Sequence, residues 1–206
     1  NIDFQTLDYS YVEDTTSSSN IINIETSSKA FTINNNLGWY GYNSYTNSLS
    51  IGLANSIIDT GIGDDSIDIS STAEASSFGN SWSWWGWNNS SNANVSSYGV
   101  YGSSINTGSG DDSININASS VSLTRDLWGW ESREIGLGQS EAVGLEKSTI
   151  NTGSGDDKVE ISAYSFGTNT NSWAIRDSSI DTGIGNDTVI LNASDLAVSI
   201  GEAIEP

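Results

Sequence analysis

Asp59-Thr60-Gly61-Ile62-Gly63-Asp64-Asp65-Ser66-Ile67-Asp68-Ile69 is the stretch that decides the fold, because nearly the same eleven residues return three more times. They recur as Asn106-Thr107-Gly108-Ser109-Gly110-Asp111-Asp112-Ser113-Ile114-Asn115-Ile116, as Asn151 to Ile161, and as Asp181 to Leu191. An isoleucine precedes each copy, at 58, 105, 150 and 180, so equivalent positions lie 47, 45 and 30 residues apart. Repetition at a period of tens of residues is the mark of a solenoid, in which each copy belongs to one rung of a stack. After each turn, Ile67-x-Ile69 and its equivalents alternate, which puts two apolar side chains on one face of a strand. Stacked rungs then build an isoleucine ladder down the interior.

The pattern Ile-x-Thr-Gly-x-Gly-(Asp/Asn)-Asp-x-(Ile/Val)-x-(Ile/Leu) resembles the nonapeptide of the RTX, or haemolysin-type, calcium-binding repeat family, Gly-Gly-x-Gly-x-Asp-x-(apolar)-x. Thr60, Gly61, Gly63, Asp65 and Ile67 fall on its informative positions, and the other three copies follow suit. The chain departs from the family in two ways: Thr replaces the first Gly, and the nonapeptides are not in tandem. The resemblance covers about 48 of the 206 residues.

The resemblance implies Ca2+ as the cofactor and a calcium turn in each copy. Those turns comprise Thr60, Gly61, Gly63, Asp64 and Asp65; Thr107, Gly108, Gly110, Asp111 and Asp112; Thr152, Gly153, Gly155, Asp156 and Asp157; and Thr182, Gly183, Gly185, Asn186 and Asp187. The glycines are expected at positive φ, turning carbonyl oxygens inward beside the last Asp to form the oxygen cage that a hard cation prefers. The preceding Asp either binds or faces solvent. Ordinary acidic turns are the alternative, but chance turns do not keep both glycines and the final Asp in all four copies. Four near-identical pairs also argue for a structural task, since general acid–base work needs one site with two carboxylates tuned apart.

Composition narrows the function. Twenty-six acidic against six basic residues give a net charge of −20, which argues against nucleic acid and anionic membrane surfaces as partners and suits a protein neutralised by cations. Cys and His are both absent, removing disulfides, thiolate metal sites and the commonest general base. No apolar run approaches 18 residues, so no transmembrane helix is expected, and the missing initiator Met reads as a processed or excerpted piece. Calcium turns of weak affinity are useful where calcium is near millimolar, which places the protein outside the cell, on a bacterial surface or secreted.

The expected fold is all-β, a parallel β-helix (β-solenoid) of about four to five rungs with aromatic loop inserts. A 30-residue rung has room for three short strands, a three-faced helix and not a thin two-sided roll. Residues 1–20 read as an N-terminal arm or linker and 21–206 as the calcium-binding domain. Ile24, Thr26 and Ile33 read as a worn copy in register with Ile58, Thr60 and Ile67. Val189–Ser194 and Leu196–Ile200 read as a closing strand pair.

Extra length in the longer rungs is aromatic: Trp39 and Tyr40, then Trp82, Trp84, Trp85 and Trp87, then Trp128 and Trp130. Trp82, Trp128 and Trp173 lie 13, 12 and 12 residues beyond Ile69, Ile116 and Ile161, a spacing that predicts one corner and one lateral patch. Three readings of the patch stand open: packing on the solenoid flank, a contact between subunits, or stacking on sugar rings.

These features favour a non-enzymatic structural protein of a surface layer, filament or adhesin, forming a homo-oligomer or filament through solenoid ends, the N-terminal arm or the Trp loops. The alternatives are a glycan-binding module using the Trp inserts and a β-helix polysaccharide-degrading enzyme. For the enzyme, Arg125, Arg133 and Arg176 are too scattered to make a basic cluster.

Overall fold

The computed structural model describes residues 2–4, 7–8, 11–13, 18–36, 44–81, 91–126 and 138–198. The chain visits three sheets in the same order on every circuit. The first circuit is β1 (Ile2–Phe4), β2 (Leu7–Asp8) and β3 (Tyr11–Glu13); the second is β4 (Ile21–Asn36), β5 (Ser44–Ala54) and β6 (Ile57–Asp59). Then come β7 (Ser66–Ser81), β8 (Ser91–Tyr101) and β9 (Ser104–Asn106), followed by β10 (Ser113–Asp126), β11 (Gln139–Glu146) and β12 (Thr149–Asn151). The last are β13 (Lys158–Gly167), β14 (Asn169–Arg176), β15 (Ser179–Asp181) and β16 (Thr188–Ala197). The sheets run β1-β4-β7-β10-β13-β16, β2-β5-β8-β11-β14 and β3-β6-β9-β12-β15. Every pairing is parallel. The described residues contain strand and no helix, as a parallel β-solenoid requires.

Register turns the alternation in the sequence into columns. Ile22, Ile67, Ile114 and Val159 line up in the first sheet, and Ile24, Ile69, Ile116 and Ile161 two residues on. Leu53, Val100 and Leu145 face them from the second sheet, and Ile58, Ile105 and Ile150 from the third. All of these side chains are at most 1% exposed. Each is worth about 1.5–3 kcal/mol relative to exposure, so this column of branched residues is the main source of cohesion. Gly52, Gly99 and Gly144 make room for it. A Cβ there would stand 2.5, 2.4 and 2.3 Å from Cγ2 of Ile69, Ile116 and Ile161.

Farther along the first two sheets the interior changes character. Thr26 and Ser71 meet Ser50 and Ser97, whose hydroxyls donate to them at 2.9 and 3.0 Å, and Ser120 and Ser140 are 2.7 Å apart. Ala73, Ala75, Ala93 and Val95 fill the space beside them. Small side chains let the sheets close together, so the cross-section is a wedge: three-sided around the isoleucines, two-sided where serine and alanine fill it. The expected three-faced helix describes the isoleucine side of each coil, and the serine and alanine side closes like a two-sided roll, which was not expected.

Several expectations change. The arm expected over residues 1–20 contributes a strand to each sheet, with Ile2 opposite Ile22, Leu7 opposite Leu53 and Val12 opposite Ile58. The worn copy is out of the expected register: Ile22 pairs with Ile67 and Ile24 with Ile69. Ile33, expected opposite Ile67, pairs instead with Phe78, so the worn copy is displaced by eleven residues, an odd shift that exchanges the two faces of the strand. The closing strand pair is one strand, β16, as far as Ala197. Trp39, Tyr40, Trp82, Trp84, Trp85, Trp87, Trp128 and Trp130 lie outside the described residues. Trp173 sits within β14 opposite Val143, in a row with Tyr98 and Ile51, and is 48% exposed. In that coil β13 ends at Gly167 and Thr168 alone leads to β14, so the same count from the isoleucine lands in a strand.

Candidate metal centre

The Thr-Gly-x-Gly-Asp-Asp turns join the third sheet to the first and stack in one column, tied by parallel bridges Ile62 to Ser109, Ser109 to Ser154 and Ser154 to Ile184. All eight glycines have positive φ, from 73° at Gly183 to 155° at Gly185. Closeness of stacking demands glycine as well: a Cβ on Gly110 would lie 2.2 Å from the Gly63 carbonyl oxygen. The carbonyls of Gly61, Gly108 and Gly153 accept the N–H of Ser109, Ser154 and Ile184 at 2.9–3.0 Å. They therefore hold the next coil and do not point freely into a cage.

The threonines face inward. Thr60, Thr107 and Thr152 are at most 1% exposed, and each hydroxyl donates to the carbonyl of the next threonine, at 3.5, 3.5 and 3.2 Å. The Thr side chain thus continues the interior column, which a Gly at this position would not do. Asp64, Asp111, Asp156 and Asn186 form an exposed outer column in which each Asp Oδ1 accepts the N–H of the next coil's residue at 2.9 Å.

The inner column is different. Asp65, Asp112 and Asp157 are 2%, 2% and 1% exposed. Oδ1 of each accepts the N–H of its counterpart one coil earlier: Asn20 to Asp65 at 2.7 Å, Asp65 to Asp112 at 2.8 Å, Asp112 to Asp157 at 2.9 Å. Asp187 closes the series, accepting from Asp157 at 3.1 Å. Oδ2 of Asp65, Asp112 and Asp157 is buried and meets no donor. Coils lie about 4.8 Å apart, where two carboxylates repel by roughly 3–4 kcal/mol at an effective dielectric near 20. Burial pushes the Asp112 carboxyl above its ordinary range and the charges of Asp157 and Asp65 push it further, against the hydrogen bond from the Asp65 N–H.

Asn20 is the chain's own control for this column. It occupies the equivalent place one coil earlier, and its Nδ2 donates to the carbonyls of Ser18 and Thr60 at 3.1 and 3.3 Å. If accepting one N–H were the whole task, an amide would serve without burying a charge. Three consecutive buried carboxylates, each with one orphaned oxygen, fit a site that takes a cation. Among the described residues no three acidic side chains converge on one point.

Three features escaped the sequence reading. Asn20 heads the inner column. Ser56, Ser103, Ser148 and Ser178 form a second ladder at the corner between the second and third sheets: the N–H of Ser56, Ser103 and Ser148 donates to the Oγ of the next serine at 3.0–3.1 Å. These serines stand two residues before each repeat isoleucine, a signal visible in the sequence, and follow the positive-φ residues Asn55, Gly102, Lys147 and Asp177. On the outer face of the second sheet Arg176 pairs with Glu141 and Glu146, and Tyr98 donates to Glu141 at 2.9 Å. Arg176 is thereby committed to two carboxylates.

Comparison with known proteins adds no relative: no family model matches the chain, nor does a curated protein or a solved structure.

Proposed function

We propose that this chain is a calcium-binding structural protein of the bacterial exterior, a building block of a surface layer, filament or adhesin and not an enzyme, with calcium ions between its stacked turns in a solenoid of about four to five rungs. The observation that carries the reading is the column of orphaned Oδ2 atoms on Asp65, Asp112 and Asp157. In this reading Asp65, Asp112, Asp157 and Asp187 hold the ions from the inside, the outer column of Asp64, Asp111 and Asp156 adds attraction from solvent, and the ion cancels repulsion that stacking creates. With calcium tenfold above its dissociation constant each site adds roughly 1.4 kcal/mol, and three add ~4 kcal/mol, a large share of the ~5–15 kcal/mol of an ordinary domain.

Equilibrium dialysis that counts bound calcium tests it. The chain is expected to bind several ions per molecule, and Asp65→Asn, Asp112→Asn and Asp157→Asn combined are expected to abolish them. Equal binding by both proteins overturns the reading.

A further inference from the structure

The last coil leaves its core rows uncovered. Positions that are at most 1% exposed in Ile67, Ile114 and Val159 are 44% exposed in Val189, and those of Ile69, Ile116 and Ile161 become 48% exposed in Leu191. Ile184 at the turn is 79% exposed. Among the described residues nothing pairs with the outer edge of β14, β15 or β16, the last strands of their sheets. An open parallel edge with an apolar row behind it is a template for a further strand.

The opposite end of the stack supplies a matching one. By register, Ile2 belongs to the row of Val189, Phe4 to that of Leu191, Leu7 to that of Ile175, and Val12 to that of Ile180. All four core rows therefore hold an apolar residue at both ends. Among the described residues nothing pairs with the outer edges of β1, β2 and β3, and these run in the same direction as those of β14, β15 and β16, because every pairing in the stack is parallel.

From this self-match we infer that a second copy of this chain docks head to tail, β1 to β3 of one molecule continuing the sheets that end in β16, β14 and β15 of another. The inference rests on the structural reading above and names its junction. The contact repeats the coil-to-coil packing inside the molecule, confined to the isoleucine-filled side, since β1 and β2 are shorter than β16 and β14. Such a heterologous contact does not close on itself, so it propagates into filaments. Copies of net charge −20 repel, so the junction strengthens with calcium and with salt.

Single cysteines test the geometry in a chain that has none. Asp3 and Ile190 share a register position one residue along from the Ile2 and Val189 row, and adjacent parallel strands at about 4.8 Å suit a disulfide. In excess calcium under mild oxidation, an equimolar mixture of Asp3→Cys and Ile190→Cys is expected to give mixed dimers as its main cross-linked product. Each protein alone is expected to give at least tenfold less, and adding Leu191→Asp to the Ile190→Cys protein is expected to remove the product. Cross-linking of Ile190→Cys with itself to the same extent overturns the inference in favour of a tail-to-tail contact. A folded, calcium-loaded chain that sediments as a monomer at high concentration and gives no mixed dimer overturns it too, as when residues 199–206 cover the face, and leaves the calcium reading standing. Equal folding with and without calcium removes the calcium reading whether or not the cross-link forms.

Discussion

The backbone N–H of Asp65 donates to Oδ1 of Asp112 at 2.8 Å, across 47 residues of chain, while Oδ2 of the same Asp112 is buried and meets no donor. One oxygen thus fixes the register between coils, and the other is the one that the proposed calcium ion would take. The two tasks are separable by mutation.

Asp112→Asn keeps the acceptor for the Asp65 N–H and removes the charge. Without calcium the variant is expected to be more stable than the parent, by about 1–3 kcal/mol, because a buried charge and its repulsion with Asp65 and Asp157 are gone. In calcium the order reverses. Urea unfolding in chelator and in calcium measures both; a variant less stable in both conditions contradicts the account.

Acidity acts on the same group. Burial raises the Asp112 carboxyl above its ordinary 3.8, so the metal-free fold binds this proton more tightly than the unfolded chain. Its contribution is full below pH 3.8 and fades as pH rises through the higher folded value. Metal-free protein is therefore expected to lose stability between pH 4 and neutrality, and calcium to flatten that slope. Melting curves in chelator across this range check it, and a rise in stability toward neutral pH would contradict it.

Gly110→Ala tests the stacking of the turns. The new Cβ meets the Gly63 carbonyl oxygen at 2.2 Å, at a φ of 136°. The expected loss is roughly 2–5 kcal/mol, with or without calcium. Denaturant midpoints measure it, and an unchanged midpoint means that the coils lie farther apart than described.

Ser148→Ala tests the corner ladder. Its Oγ accepts the buried Ser103 N–H at 3.0 Å and donates to the Glu146 carbonyl at 2.6 Å. Leaving that N–H unpaired costs about 1–3 kcal/mol, with no change in calcium affinity. A shift in affinity as large as that of Asp112→Asn would contradict the separation between the two corners.

The sequence carried the isoleucine rows and the stacked turns, because alternation and a fixed Thr-Gly-x-Gly-Asp-Asp spacing are local signals. It also carried which Asp of each pair is buried: the last Asp stands two residues before the core isoleucine and shares its inward parity. Elsewhere the signal was absent or ambiguous. The shift in β4 was hidden because Ile24 and Thr26 copy the spacing of Ile58 and Thr60 by residue type, whereas the register is set by pairing with β7, where Ile22 and Ile24 meet Ile67 and Ile69. Of the first coil the sequence showed only a hint of strand at Ile2, Phe4 and Leu7, because β1, β2 and β3 have two or three residues each, too short for a period to show. The serine and alanine interior was missed because small polar residues read as surface until two sheets close over them. Thr60, Thr107 and Thr152 stand two residues after Ile58, Ile105 and Ile150 and share their inward parity, a signal that reading them as part of the metal turns passed over.

Thermal melting after exhaustive chelation, repeated as calcium is restored, tests the central claim most directly. Some 4 kcal/mol from three sites in a chain of 206 residues corresponds to a rise of roughly 8–16 °C at saturation. That rise, lost when Asp65, Asp112 and Asp157 are all changed to Asn, is the predicted result. A chelated parent chain that melts at the same temperature as the calcium-saturated one would contradict the account.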